Sequence, residues 1–267
     1  MPATASPDFR GQTIARERLL RPYPHFDAVN TTTNEGTSSY HALQVGLNRR
    51  FSGGYTLSGN YTLSRFTEAT EFLNPADPTP WEGISSQDVP HRLTISGIWE
   101  VPVGRGRRFG ANLARAVDMI VGGWQFQGIY TLQSGFPIAF GNILFTGELD
   151  DIALSGSEQD LQQWFNVDAG FNRVAAQQLA SNVRTFPLRL ESVRSDRNNN
   201  VDLSVIKNAW LGGDQQLQFR LEAINALNHP QFPVPNTTPT AAAFGTISAS
   251  NQRNYARRVQ VTVKFLF

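Results

Sequence analysis

The chain has 267 residues, 40% of them hydrophobic and 17% charged, a formal net charge of +1 and no cysteine. That balance argues against a nucleic-acid binder working through a broad basic surface, and it leaves no disulfide framework or thiolate metal site to propose. No run approaches the roughly 20 apolar residues of a membrane-crossing helix, and mean hydropathy is −0.30, so insertion as helices is excluded. Asn, Gln, Ser, Thr and Gly fill the deficit, which suits two-faced strands joined by polar loops.

Residues 1–19 read as an irregular lead-in, and Met1 to Asp8 lack the basic-then-apolar build of a secretory signal. Either the protein is cytoplasmic or it is a piece of a longer precursor. Leu19 to Thr33 gives a first, weak strand after its prolines. Tyr40 to Phe51 is firmer: Leu43, Val45, Leu47 and Phe51 oppose Gln44, Gly46, Asn48 and Arg50. Ser52-Gly53-Gly54 is a tight-turn signal, and from Tyr55 to Phe66 the residues Tyr55, Leu57, Gly59, Tyr61 and Leu63 oppose Thr56, Ser58, Asn60, Thr62 and Ser64, completing a hairpin.

A proline-rich loop leads to His91–Val101, where Leu93, Ile95, Gly97, Trp99 and Val101 share one parity and Ile98 alone breaks the polar one. The link 102–123 carries Gly104-Arg105-Gly106-Arg107-Arg108-Phe109-Gly110 and a short helix around Asn112 to Val121. Trp124, Phe126, Gly128, Tyr130 and Leu132 then alternate with Gln125, Gln127, Thr131 and Gln133. Periodicity fails over 141–200, predicting a long, partly helical loop with short helices at Ser157–Asn166 and Asn172–Asn182. Strands return with Val201, Leu203 and Val205, then with Leu217, Phe219, Leu221 and Ala223 against Gln216, Gln218, Arg220 and Glu222. In the last ten residues Val259, Val261, Val263, Phe265 and Phe267 oppose Arg258, Gln260, Thr262 and Lys264, and only Leu266 departs.

These are about eight strands whose connections alternate between two sets, mostly short (52–54, 102–123, 211–214) and long (near Asn34, 67–89, 141–200, 229–256). The expectation is an all-β, antiparallel, up-and-down transmembrane β-barrel, about eight strands of a larger one, with 141–200 as a long extracellular loop. A soluble sandwich is the rival. Strands of roughly 10–12 residues match the 9–11 needed to cross a bilayer and exceed the usual soluble length. Aromatics crowd the apolar parity, where Leu57, Tyr61, Trp99, Trp124, Phe126, Tyr130, Phe219 and Val261 are expected to face lipid. On the other parity Arg50, Arg220, Glu222, Arg258 and Lys264 are expected in a wet lumen.

Several stretches together carry a family resemblance: Leu20-Arg21-Pro22-Tyr23-Pro24-His25-Phe26, Ser38-Ser39-Tyr40-His41-Ala42-Leu43-Gln44, Gly122-Gly123-Trp124-Gln125 with Leu132-Gln133-Ser134-Gly135-Phe136-Pro137, Arg184-Thr185-Phe186-Pro187-Leu188-Arg189, Asp202-Leu203-Ser204, and Phe219-Arg220 through Asn225-Ala226-Leu227-Asn228-His229-Pro230-Gln231-Phe232. With these the chain resembles the C-terminal barrel portion of a TonB-dependent outer-membrane receptor, of the Oar-like group whose members carry a carboxypeptidase-regulatory-like domain. The resemblance implies a place in the cell outer membrane among its lipids and uptake of a bulky nutrient. It also implies a final strand ending in Phe, matched by Phe265 and Phe267, as a signal to the barrel-assembly machinery. Signal peptide, TonB box and plug are missing from the chain, so TonB would act only through a region outside it.

Other motifs carry less. Gly104 to Gly110 has Phe109 where the dinucleotide fingerprint needs Gly, with no βαβ unit around it. Asp196 to Asp202 offers oxygen ligands at alternate positions but lacks the sixth-position glycine and has Lys207 at the twelfth, so a polar loop feeding a strand is the better reading. His25, His41, His91 and His229 lack metal spacing. No nucleophile, base and orienting acid assemble, so neither enzymatic activity nor a cofactor is expected. Two other functions stay open: a small stand-alone eight-stranded outer-membrane barrel acting as adhesin or pore, and a soluble secreted carbohydrate-binding sandwich.

Overall fold

A computed structural model of the chain describes residues 19–20, 23, 32–178, 183–213, 215–248 and 250–267. The chain divides into two compact units, Met1–Gly36 and Thr37–Phe267. The lead-in 1–18 and most of the weak strand at 19–33 lie outside the described residues. Everything below concerns the second unit.

That unit is built on one antiparallel sheet. Its long strands are β1 (Thr37–Ser52) and β2 (Tyr55–Glu71), then, after the short β3 (Trp81–Ile84), β4 (His91–Glu100), β5 (Trp124–Gln133), β8 (Asn198–Gly212), β9 (Gln215–Ile224) and β10 (Arg258–Leu266). The order across the sheet is β1-β2-β4-β5-β8-β9-β10, strictly sequential, with β3 pairing only the end of β2. Seven of the eight expected strands are therefore present, and the eighth member of the sheet is β3, which the proline-rich loop concealed. β6 (Pro137–Ala139) and β7 (Arg189–Arg194) form a separate two-stranded sheet. Among the described residues of this unit, helix is confined to α1 (Arg115–Val121), inside the expected range, and to two 3₁₀ turns.

Register carries the sequence pattern across the sheet. One rung runs Tyr55–Trp99–Phe126–Val205–Leu221–Val261, and the next toward the long-loop side runs Leu57–Gly97–Gly128–Leu203–Ala223–Val259. The interleaved rung runs Thr56–Ile98–Gln127–Ser204–Glu222–Gln260. Because side-chain period and pleat period are both two, each parity occupies one face along the whole sheet.

Three glycines show how the tight rim is made. Gly53 and Gly54 both take positive φ, 64° and 89°, as a two-residue hairpin turn requires. Gly123, at φ 67°, enters β5 so close to β8 that an added Cβ would stand 2.2 Å from the Asn208 carbonyl oxygen.

The expected helices within 141–200 do not form. Where Ser157–Asn166 was to be helical, Asp160 Oδ1 accepts the N–H groups of Gln162 and Gln163, each at 2.7 Å, a local turn that competes with helical hydrogen bonding. In the described part of Asn172–Asn182 only Ala175–Gln177 closes a 3₁₀ turn. The segment folds instead around phenylalanines. Phe140, Phe165, Phe171 and Phe186 are buried with Ile138, Ile143, Ile152, Leu190 and Val193, joined by Phe244 from the loop before β10. Most of their rings meet edge-on or tilted, at centroid distances such as 5.2 Å for Phe140–Phe165 and 5.0 Å for Phe171–Phe244, and Phe140 and Phe171 stack at 5.7 Å, favoured geometries for aromatic pairs.

Gly123→Ala should lower folding stability by at least about 2 kcal/mol, combining strained φ with backbone overlap. Gly53→Ala, whose Cβ enters open space, should cost only about 1 kcal/mol. Urea titration of the refolded chain ranks the two.

Candidate functional site

The hydrophobic core cluster of the unit gathers in the loop module with Phe244 from the loop before β10, and the long strands contribute nothing to it; among the described residues of those strands only Ile206 and Ala209 are buried apolar side chains. Val261 is 69% exposed, Phe219 44%, Leu57 37% and Trp124 36%. A sandwich would bury this face against a second sheet; among the described residues no such sheet covers it. Tyr61, Trp99, Phe126 and Tyr130 lie on the same face by register. Trp99 and Phe126, directly opposed on β4 and β5, stack at 5.8 Å. Tyr61 Oη and His91 Nδ1 sit 2.8 Å apart at the long-loop end.

Two cations on the apolar parity had no forewarning beyond their position in the alternation. Arg49 holds its guanidinium 4.1 Å from the Tyr55 ring centre, and Lys207 places Nζ 5.7 Å from the Trp124 ring while donating to the Gly122 carbonyl. Both stems lie along apolar surface while the charged head reaches aromatic faces and backbone at the tight-turn rim.

The opposite face carries the charged residues. Arg220 and Glu222 pair at 2.7 Å, and Arg220 Nε donates to Ser204 Oγ at 3.2 Å. Arg50, Asn48, Ser58 and Asp202 join this pair around an open hollow of about 470 Å³. Lys264 shares the face with Asn208 and Gln218, one rung nearer the tight rim than Arg220. Arg258 opposes Ile224 and lies 3.7 Å over the Tyr255 ring. The sequence grouped these residues by parity; the structure adds that Arg220, Glu222 and Arg50 line one hollow while Arg258 stands at the far end of its strand. Phe265 and Phe267 stack at 5.9 Å at the chain end, with Phe267 93% exposed.

Above this wall the loop module is fixed by arginines, a feature the sequence reading missed. Asp88, 1% exposed, accepts the Phe66 N–H on Oδ1 and Arg194 Nη2 on Oδ2, both at 2.7 Å. Arg194 Nη1 also donates to the Asp88 and Gly135 carbonyls. Arg189 bridges Glu68 and Glu71 on β2, and Arg65 meets Glu191 through two hydrogen bonds. Arg184 donates to the carbonyls of Phe140, Phe186 and Pro187. Burial draws its pKa down while the Glu71 carboxylate opposes that fall. The spacing Arg184, Arg189, Arg194 beside a Phe-rich run was the available sequence signal.

The remaining motifs are absorbed structurally. Asn200 and Asp202 lie along β8, where Asp202 Oδ1 accepts the Asn225 N–H, and Asp196 Oδ2 accepts the Phe232 N–H. In the glycine loop the Arg105 N–H donates to Asp118 Oδ1, so that amide is satisfied within the chain.

The chain matches the family described as outer membrane beta barrel domain over residues 2–260. No curated protein and no solved structure matches it.

Asp88→Ala should destabilise the module by about 3 kcal/mol, because Arg194 keeps its charge in a half-dry site. Arg65→Ala, removing an exposed pair, should cost under about 1 kcal/mol. Amide exchange over 134–197 distinguishes them: faster exchange is expected in the first variant only.

Proposed function

We propose that this chain, which belongs to the outer membrane beta barrel domain family, forms part of the wall of a TonB-dependent transporter that admits a bulky nutrient through a polar lumen. The observation that carries the reading is the unburied apolar face, seven strands wide, whose aliphatic and aromatic side chains gain by leaving water only if acyl chains cover them. The outer membrane is the place where strands meet that solvent. β4, β5 and β9 have 10 residues each, within the span needed for a tilted crossing.

Leu57, Tyr61, Trp99, Trp124, Phe126, Tyr130, Phe219 and Val261 then face lipid, and Arg50, Arg220, Glu222, Arg258 and Lys264 face the lumen. The tight-turn rim is periplasmic and the phenylalanine module outward, as short periplasmic turns and long outer loops require. Phe265 and Phe267 present the terminal signal to the assembly machinery. The motifs that resemble those of TonB-dependent receptors, from Ser38-Ser39-Tyr40 to Asn225-Ala226-Leu227-Asn228, favour energised uptake over passive diffusion.

Two experiments test this reading at different levels. Val261→Arg should cost about 2–4 kcal/mol of folding free energy in vesicles, the range for a cation at mid-bilayer; Thr262→Arg, on the opposite face, should change it by under about 1 kcal/mol. Equal losses would remove the lipid assignment. For transport, cells lacking the protein and cells lacking TonB should share a growth defect on a limiting nutrient, with no further loss in the double mutant. Normal growth when TonB alone is removed, beside a defect when the protein is removed, would point to a passive pore.

A further inference from the structure

We propose that the link between β4 and β5 is an interfacial anchor: α1 lies in the headgroup layer with its apolar stripe on acyl chains, and the arginines of the preceding loop hold the phosphates of anionic phospholipids at the tight-turn rim. The proposal rests on the membrane-wall reading, and the link itself supplies the rest. Two residues each join β1 to β2 and β8 to β9 at that rim, whereas 101–123 join β4 to β5. That is far more chain than a reversal between antiparallel strands requires.

The link is amphipathic in composition. Four arginines, Arg105, Arg107, Arg108 and Arg115, stand against the single carboxylate of Asp118, a net of +3 in a chain whose total is +1. Asp118 is engaged by the Arg105 N–H. Arg105, Arg107 and Arg108 are exposed, and of these three only Arg107 meets a carboxylate among the described residues, Glu100 at 3.0 Å. Arg108 lies 5.4 Å over the exposed Phe109 ring. Five of the seven residues of α1 are apolar and none is buried. Val117, Ile120 and Val121, at i, i+3 and i+4, form one stripe and are 43%, 71% and 37% exposed. A surface helix in water turns such a stripe to a protein core; this one does not.

The tethers of the link place it on the lipid side of the wall. Trp124, on the apolar parity of β5, donates its indole N–H to the Ile120 carbonyl at 2.9 Å. Lys207, opposite Trp124 on β8, donates to the Gly122 carbonyl, and Arg115 to the Leu211 carbonyl where β8 ends. Both ends of α1 are therefore tied to the rim, and its last turn adjoins the face that carries Trp124, Trp99 and Phe126. Charge selects the occupant. An apolar stripe bordered by exposed guanidinium groups, at the edge of a lipid-facing wall, complements acyl chains beneath anionic headgroups, and guanidinium matches phosphate by paired hydrogen bonds.

The absence of cysteine lets one introduced thiol carry an environment-sensitive dye. The full-length protein is refolded into phosphatidylcholine vesicles with and without phosphatidylglycerol, labelled at Ile120→Cys, at Val261→Cys on the wall, or at Ser157→Cys in the loop module. The dye at 120 should be shielded from acrylamide and quenched by brominated lipid, more so with phosphatidylglycerol, while that at 157 stays in water. Arg105→Gln, Arg107→Gln and Arg108→Gln combined should abolish the response to phosphatidylglycerol, as should about 1 M salt, where screening shortens to about 3 Å. Acrylamide access at 120 equal to that at 157 would overturn the proposal. Shielding at 120 indifferent to phosphatidylglycerol and to the arginines would do so too, as would ready disulfide formation between Ile120→Cys of two copies, which would make a second copy the cover. The dye at 261 reports the wall separately, so loss of the anchor and loss of the membrane-wall reading give different results.

Discussion

An apolar surface with no protein to cover it is the constraint from which the rest follows. The alternation places Val, Leu and aromatic side chains on one side of seven strands, and among the described residues no second layer hides them. Such a surface is stable only in a solvent as apolar as itself. Given that solvent, every strand backbone must be paired within the sheet, charged side chains must keep to the other face, and the aromatics with their attendant Arg49 and Lys207 fit the headgroup level.

Dry protein packing is relegated to the rim. There the phenylalanines form a core of ordinary globular kind, with interlocked rings and buried aliphatics. Its attachment to the wall is largely polar: Arg189 and Arg194 of the module reach acids on β2 and the β3–β4 turn, and Arg65 of β2 reaches Glu191 on β7. Arg194 and Asp88 form the inner pair, where desolvation makes loss of one partner expensive; Arg65 and Glu191 form an outer pair that water weakens. The molecule therefore combines two solvation regimes in one chain, an inside-out wall and a right-side-in crown.

This division explains what could be read from the sequence. Strands exposed to two different solvents have a period of two with few errors, so β1, β2, β4, β5, β9 and β10 were legible within a residue or a few at their ends, as was the parity shared by Arg50, Arg220, Glu222, Arg258 and Lys264. The module has no such period. Phe140 and Phe244 are a hundred residues apart in sequence yet share one core, and burial there follows from tertiary packing rather than spacing. For the same reason the helices expected at Ser157–Asn166 and Asn172–Asn182 gave way to Asx-type turns and 3₁₀ fragments, and β3, β6 and β7 were too short to show alternation. The hollow bounded by Arg50, Arg220 and Glu222 required register as well as parity. Parity alone put Arg258 in the same group, although it stands at the opposite end of the strand.

The length of the β1–β2 hairpin has a mechanical consequence. About ten residues cross a bilayer, so the six or seven left over in these strands form a stiff ribbon standing roughly 20 Å beyond it at the usual rise. Glu68 and Glu71 lie on that overhang and hold Arg189. The crown is thus braced from the side by the overhang as well as rooted at its base, where Phe136 and Ser195 tie the ends of β5 and β8 together.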